Sequence, residues 1–372
     1  MMLDIILDLI PYFLLVGVLI IPLLVSTSRG KNKRYFWFCV VAITAFSAFR
    51  YGVGWDYFNY CNAIRANDWQ VERMEPLMRW LATYSNRINS PHFFIFVTSV
   101  ATVLLYAVVI YKKSLNPTVS LLVFLCLPFL FLSGISIVRF ALAVAIVFYA
   151  SLYYKKPIIY VALVIAAFMT HRGAILGLLV WPFLGPIRVS LRWNWIICII
   201  GLLVSFMPSI MAPIFSGFIN LFTGVEFLDE SVGAANRYLE VVSGSGFTRL
   251  PYVYAIINLV NLFSYKELTR RNPNTDVNSL ITLYNVGTSI MLFLSFDSVF
   301  ASRLGQLFMV NIVLLVPYYL TLRSKNTFWG VILVVVALFF LQLLIPGYHD
   351  DFIGRWNCFL PYKTIFSSGV TF

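Results

Sequence analysis

Arg139, His171 and Arg172 are the residues whose types and spacing point most directly to chemistry. Arg139 stands at the start of an apolar stretch, in the run SIVRFALA, and His171 and Arg172 close another, in FMTHRG. The two stretches, 137–154 and 157–170, read as a helical hairpin whose tight turn carries Lys155 and Lys156. A hairpin returns His171 and Arg172 to the end that bears Arg139. An ionisable group at the edge of an apolar span is costly and needs a reason to be there. Two guanidinium groups and an imidazole on one rim make a wall for an anion, because the planar Arg fork grips phosphate or carboxylate through two parallel hydrogen bonds. The competing reading makes them anchors that reach into lipid headgroups. An imidazole titrates near neutral pH, and two guanidinium charges beside it favour its neutral form. That suits either a base or a hydrogen-bond donor, and spacing does not choose between them.

Composition defines what must position this rim. The chain has 372 residues, 60% hydrophobic and 11% charged, whereas soluble domains carry about 25% charged residues. Apolar runs long enough to cross a bilayer, or nearly so, recur at 5–25, 35–50, 91–111, 118–135, 137–154, 157–170, 173–187, 193–211, 250–265, 278–297, 304–322 and 327–345. In lipid the backbone must satisfy its own hydrogen bonds, so the runs are predicted helices. The expected fold is all-α: a polytopic integral membrane protein of about 12 transmembrane helices. It reads as a single transmembrane domain over 1–372 with no internal repeat. The first run carries Asp4 and Asp8 without a basic flank, so it is not a secretory signal peptide and is expected to be retained.

The net charge of +12 suggests nucleic acid only until it is mapped. The loops at 26–34, 112–113, 155–156, 188–192, 266–276 and 323–325 hold 15 of the 27 Lys and Arg residues and two acids, Glu267 and Asp276. They alternate along the chain with the other loops, which places them on the cytoplasmic side and both termini outside. The partner implied is membrane lipid, not nucleic acid. Inside there are eight Lys and seven Arg; outside there are eleven Arg and one Lys, Lys363. Topology needs only charge, so the excess of forked cations outside points to an anion handled on that face.

The outside segments supply further candidates. Segment 48–90 is aromatic and charged; Gly52 and Gly54 permit a tight turn between Arg50 and Asp56, which the turn would bring together. Trp55, Tyr57, Tyr60 and Trp69 follow, either as an interfacial belt or as platforms for a ring. Leu77, Trp80, Leu81, Tyr84 and Ile88 have helical spacing and predict an amphipathic helix on the interface, with Arg73, Arg79 and Arg87 toward headgroups. Segment 212–249, with Arg237 and Arg249, contains the polar, glycine-bearing run 233–246 and is expected to act as a lid. Arg303 and Asp297 share a short patch, SFDSVFASRLGQ. The tail, GYHDDFIGRWNCFLPYKTIF, is too aromatic for plain disorder and is expected to pack back. Three His and five Cys residues show no metal-ligand spacing, so no metal and no cofactor is expected. Cys61 and Cys358 lie on the side where a disulfide could form.

The ordered series FRYGVGWDYFNY, MEPL, SIVRFALA, FMTHRGAIL, SRLGQLF and LPYKTIF, spread over nearly the whole chain, resembles the EpsG family of Wzy-type polysaccharide polymerases. The resemblance implies a fold like that of the GT-C glycosyltransferases. It also implies that undecaprenyl-pyrophosphate-linked oligosaccharide repeat units are joined at the outer face of the bacterial cytoplasmic membrane, alongside a flippase and a chain-length regulator. The product would be O-antigen of lipopolysaccharide, capsule or exopolysaccharide. In that chemistry Arg50, Arg139, Arg172 and Arg303 are candidate pyrophosphate ligands. His171, Asp56 and Glu75 are candidates for the proton transfer, and Trp55, Tyr57, Tyr60, Arg237 and Arg249 for glycan binding. Some Wzy proteins carry an Arg followed eleven positions later by Gly in external loops; no Arg here does so, which weakens the roles of Arg237 and Arg249. An O-antigen ligase, another GT-C transferase or a flippase would share the substrate; a flippase should show related halves and charges at mid-membrane, and neither is evident.

The topology is testable by single-cysteine labelling with an impermeant reagent. Asp350→Cys should be labelled from outside and Lys155→Cys should not; the opposite pattern reverses the orientation.

Overall fold

The computed structural model describes residues 2–25, 33–185, 187–207, 213–214, 217, 250–273, 275–295, 298–346 and 355–367. These residues are helical, with two isolated bridges and no strand among them. The segment 212–249 expected as a lid, with Arg237 and Arg249, lies outside the described residues apart from a few positions, as do Asp297, His349, Asp350 and Asp351. Within the chain two compact units are distinguished, Met1–Leu178 with Val313–Phe372, and Leu179–Ile312.

The first unit contains α1 (Met2–Val25), α2 (Lys33–Ala48), α3 (Tyr57–Ala66), α4 (Trp69–Glu72), α5 (Pro76–Arg87), α6 (Pro91–Lys113), α7 (Pro117–Cys126), α8 (Phe131–Ser136), α9 (Val138–Ala150) and α10 (Pro157–Phe168). Helix α6 is its hub: α2 and α9 pack along it, and α3 and α5 pack against it. Proline opens α5, α6, α7 and α10, where its missing N–H is one the helix leaves unpaired anyway. Lys112 and Lys113 close α6 on its negative end. The hairpin of α9 and α10 forms as its sequence predicts, with a short 3-10 turn at Ser151–Tyr153.

Two expected spans are interrupted. The run 118–135 is not one helix: Pro128 lacks an N–H and drives Leu127 to extended backbone, so α7 stops and α8 begins afresh. Every residue of α7 is buried, as are Leu127, Phe129 and Leu130, so protein and not lipid surrounds the break. The run 173–187 is also corrected: it forms a 3-10 helix, Arg172–Leu179, and a single α-turn, α11 (Trp181–Leu184), opened around Pro182. By length and composition, three helical segments among the described residues are long and apolar enough to cross a membrane: Pro91–Lys113, Ala301–Thr321 and Lys325–Leu344. Six shorter apolar helices accompany them, among them Val138–Tyr153 and Pro157–Phe168.

Helix α5 is amphipathic with a shifted face. Leu81 joins Met78, Ala82 and Ser85 on the buried side, leaving Leu77, Trp80, Tyr84 and Ile88 as the exposed stripe. The tail packs back as its aromatic content predicts. Tyr362 stacks on Phe46 at 3.9 Å, Tyr51 N–H donates to the Lys363 carbonyl at 2.8 Å, and Gly54 N–H to that of Cys358 at 2.9 Å. Cys61 and Cys358 are buried free thiols.

The second unit is built on α14 (Val277–Phe293), against which α12 (Leu191–Ser205), α13 (Leu250–Arg271) and α15 (Ser298–Met309) pack. The backbones of α14 and α15 meet at Gly287 and Gly305, where an added Cβ would come within 2.7 and 2.8 Å of the opposing carbonyl oxygens. Small residues permit such crossings between membrane helices. Asn285 accepts from Asn258 at 2.6 Å and donates to Asn194 at 3.0 Å, a side-chain chain that links α13, α14 and α12. A short turn, α16 (Ile312–Leu315), precedes a 3-10 stretch, Val316–Thr321; α17 (Lys325–Leu344) then belongs to the first unit.

Gly54 has φ +102°, and a Cβ there would stand 2.1 Å from the Ile135 carbonyl oxygen. Gly54→Ala therefore combines strain with a backbone clash and should cost at least the ~1–3 kcal/mol of a strained backbone position. The expected result is a lower thermal midpoint of the purified protein, read by size-exclusion after heating.

Candidate active site

Glu75 holds the site together. It stands at the N-cap of α5, before Pro76, with extended backbone (ψ 153°), and its carboxylate does not cap its own helix. Instead Oε2 accepts from Arg139 Nη1 at 2.7 Å, and Oε1 accepts from the backbone N–H of Arg172 at 3.2 Å. The start of α5 is pinned beside the end of α10 by Leu77 N–H donating to the Met169 carbonyl at 3.1 Å. Arg139 also donates from Nε to the Tyr60 hydroxyl at 3.1 Å, with its guanidinium 5.6 Å from the Tyr60 ring centre. The pair is sheltered: Glu75 is 8% exposed and the Arg139 side chain 27%. Its two donors on Nη2 are uncommitted among the described residues.

Burial pushes the Tyr60 phenol up from its ordinary pKa; Arg139 opposes this, while Asp56 and Glu75 reinforce it. Tyr60 is thus a neutral acceptor set among one guanidinium and two carboxylates. Asp56 precedes α3 without capping it through its side chain.

His171 faces the same region. Its ring meets Phe140, the neighbour of Arg139, edge-on at 5.0 Å. Its Nδ1 accepts from Gly173 N–H at 3.1 Å. A nitrogen that accepts carries no proton, so the neutral ring holds its hydrogen on Nε2. A Cβ at Gly173 would stand 3.3 Å from Nδ1, so glycine is what allows the ring to close over this N–H. The structure therefore brings Arg139, Arg172 and His171 onto one rim and adds Glu75 and Tyr60 as the groups that tie it.

Three expectations are corrected. Arg50 is fully buried, donating to the carbonyls of Ser47, Val53 and Ile135 and to the Ser99 hydroxyl. It clamps the turn and α8 to α6 rather than facing an anion or Asp56. Tyr57 and Tyr60 are 3% and 7% exposed, so neither ring is open for a sugar to stack on, although Tyr57 borders a cavity beside α3. Tyr57 bonds His92 Nδ1 at 3.0 Å, and Tyr60 serves Arg139. Glu75 has both oxygens engaged, which makes it a positioning residue before it is a base. Trp55 is half-buried. Arg303 lies on α15 in the second unit, with Nε buried and without a hydrogen-bond acceptor among the described residues. Arg237 and Arg249 lie outside the described residues. Sequence reasoning missed Arg355, which donates to the Gly52 carbonyl at 2.6 Å and is lowered in pKa by burial; nothing local in the tail signals that contact. Among the described residues no group of His, Cys, Asp and Glu could hold a metal ion.

An all-helical bundle with long apolar helices and a sheltered Arg–Glu pair at a helix-hairpin rim defines an integral membrane protein with a candidate anion site. A family model for the EpsG family matches residues 33–364, nearly the whole chain, and the chain belongs to that family, one of polysaccharide-polymerase type. No curated protein and no solved structure matches it.

Glu75→Gln keeps the shape and removes the charge. It should destabilise the protein by on the order of 1–3 kcal/mol, below the figure for a wholly buried pair because Arg139 keeps some water contact. A thermal midpoint equal to wild type, measured in the same lipid, would show that the pair contributes no net stability.

Proposed function

We propose that this protein joins undecaprenyl-pyrophosphate-linked oligosaccharide repeat units into a surface polysaccharide at the outer face of the bacterial cytoplasmic membrane. The proposal includes about twelve spans with both termini outside, a likeness to GT-C glycosyltransferases, and work beside a flippase and a chain-length regulator. The observation that supports it is the bridge from Glu75 to Arg139 and to the Arg172 N–H. In the reaction the bond between the anomeric carbon and the pyrophosphate oxygen breaks, and a bond to an acceptor hydroxyl forms. Negative charge grows on the leaving pyrophosphate, and the acceptor gives up a proton.

Fixed donors stabilise such charge best where it develops, in a site screened from water. Arg139 supplies Nη2, oriented by Glu75 and Tyr60. Arg172 adds a second guanidinium, and His171 a donor at Nε2 toward the leaving oxygen. Asp56, beside Tyr60, is the carboxylate proposed to take the acceptor proton. Arg303 is kept as a pyrophosphate candidate on the chemistry of its own unit. A ligase or a flippase would use the same lipid carrier, and the cell distinguishes them.

In a deletion strain, wild-type protein should restore a ladder of surface glycan. Arg139→Lys, which keeps the charge and loses the fork, should collapse it to single repeat units. With purified lipid-linked unit the rate should fall about 10²-fold, as when one transition-state donor is removed. A ladder of normal length in both Arg139→Lys and His171→Ala removes this rim from the mechanism. Absence of even single units indicates translocation, and an intact ladder that fails to reach its anchor indicates ligation.

A further inference from the structure

Helix α3 has a second face. Tyr60 points to Arg139, whereas Tyr57, Phe58, Cys61, Asn62 and Arg65 line a cavity of about 320 Å³ on a different side. The opposite wall comes from the turn between α5 and α6, residues Asn89 to His92, with Tyr51 closing it. This volume lies within the range of about 300–1,000 Å³ that small-molecule sites occupy. The site described above uses none of Asn62, Arg65, Asn89 or Tyr51.

The wall is rigid. His92 Nε2 lies 2.9 Å from the Ala48 carbonyl, which can only accept, so Nε2 carries the hydrogen and Nδ1 takes the Tyr57 hydroxyl. Asn89 is held in the left-handed region at φ +52°, with its N–H on the Asn86 carbonyl at 2.9 Å. Asn tolerates that conformation better than most residues. Asn62 and Arg65 are exposed and lie three residues apart on α3.

Apart from Arg65 the lining is uncharged, and it is two-sided. Asn62 and Asn89 each offer an amide donor pair and a carbonyl acceptor, and Ser90 offers a hydroxyl. Vicinal sugar hydroxyls also donate and accept, so they match such groups. Phe58 and Tyr51 supply apolar ring surface. A phosphate would call for several cations, and this cavity has one, Arg65.

We propose that this cavity is a carbohydrate subsite that takes one pyranose ring of a substrate glycan, away from the bond being made, with Arg65 favouring a ring that bears a carboxylate. This rests on the proposed function for its physiological ligand, although the binding itself does not.

The test uses the full chain in nanodiscs of phosphatidylethanolamine and phosphatidylglycerol, which bring no sugar headgroup. The probes are the methyl glycosides of glucose, galactose, N-acetylglucosamine and glucuronic acid, read by saturation-transfer NMR. At least one glycoside should give a signal that Asn62→Trp, which fills the cavity, abolishes. Asn89→Gly keeps the backbone and removes the amide, and should weaken binding about tenfold, the scale of a lost hydrogen bond or two. Arg65→Gln should weaken the glucuronide more than the glucoside.

Absence of signal from all four probes overturns the proposal, as does a signal that survives both Asn62→Trp and Asn89→Gly. If the surface ladder behaves as proposed and no glycoside binds, the subsite alone fails. If glycosides bind here and both Arg139→Lys and His171→Ala leave the ladder intact, the proposed polymerase site fails and the subsite stands.

Discussion

A guanidinium at the head of an apolar helix must be given a counter-charge or a set of oxygens, and much of the first unit follows from how that is met at Arg139. The residues after it, Phe140 to Val144, are buried apolar side chains. The carboxylate it needs comes from Glu75, 64 residues earlier in the chain. That requirement places the start of α5 against the end of α10, and the N–H of Arg172 completes the carboxylate's second oxygen. Because the pair is sheltered, removing one partner would strand a charge; because Arg139 is not wholly enclosed, one edge of its fork is left for something else.

Arg50 meets the same requirement in the opposite way. It is enclosed completely and is satisfied by three backbone carbonyls and one hydroxyl, with no carboxylate bonded to it among the described residues. Those carbonyls belong to the end of α2, the glycine turn and α8, so the charge fastens three chain segments at once. The turn fits only because Gly54 lacks a Cβ against Ile135. One arginine therefore serves the fold and the other retains donors for a ligand, a distinction made by the kind of oxygen each one meets.

The sequence states the helical class, the α9–α10 hairpin, the gathering of Arg139, His171 and Arg172, and the packed tail, because each follows from local apolar runs, turn charges or aromatic content. It does not state the bridge through Glu75, since a carboxylate at the start of a predicted helix gives no sign of which distant cation it meets. It also misleads at Arg50, Tyr57 and Tyr60. An aromatic, charged segment looks like a surface, and only packing reveals that these side chains face inward. The interruptions at Pro128 and Pro182 were legible as residues, but whether proline kinks a span or ends it depends on whether neighbouring helices enclose the freed backbone.

Glu75 has a further consequence for ligand binding. A carboxylate on Arg139 takes one donor, Nη1, as one oxygen of a substrate phosphate would, so the protein carries an internal stand-in for part of its proposed ligand. An incoming pyrophosphate meets an Arg139 whose Nε and Nη1 are already fixed by Tyr60 and Glu75. It gains fewer hydrogen bonds than at a bare arginine, but the side chain has no rotamer freedom left to lose. On the proposed function, such a site would bind the ground state modestly and favour the state in which charge has grown on the leaving oxygens, because the donor is already aimed and does not have to reorganise. Glu75 is therefore best understood as setting the strength and direction of Arg139, and its removal would free the fork while loosening its aim.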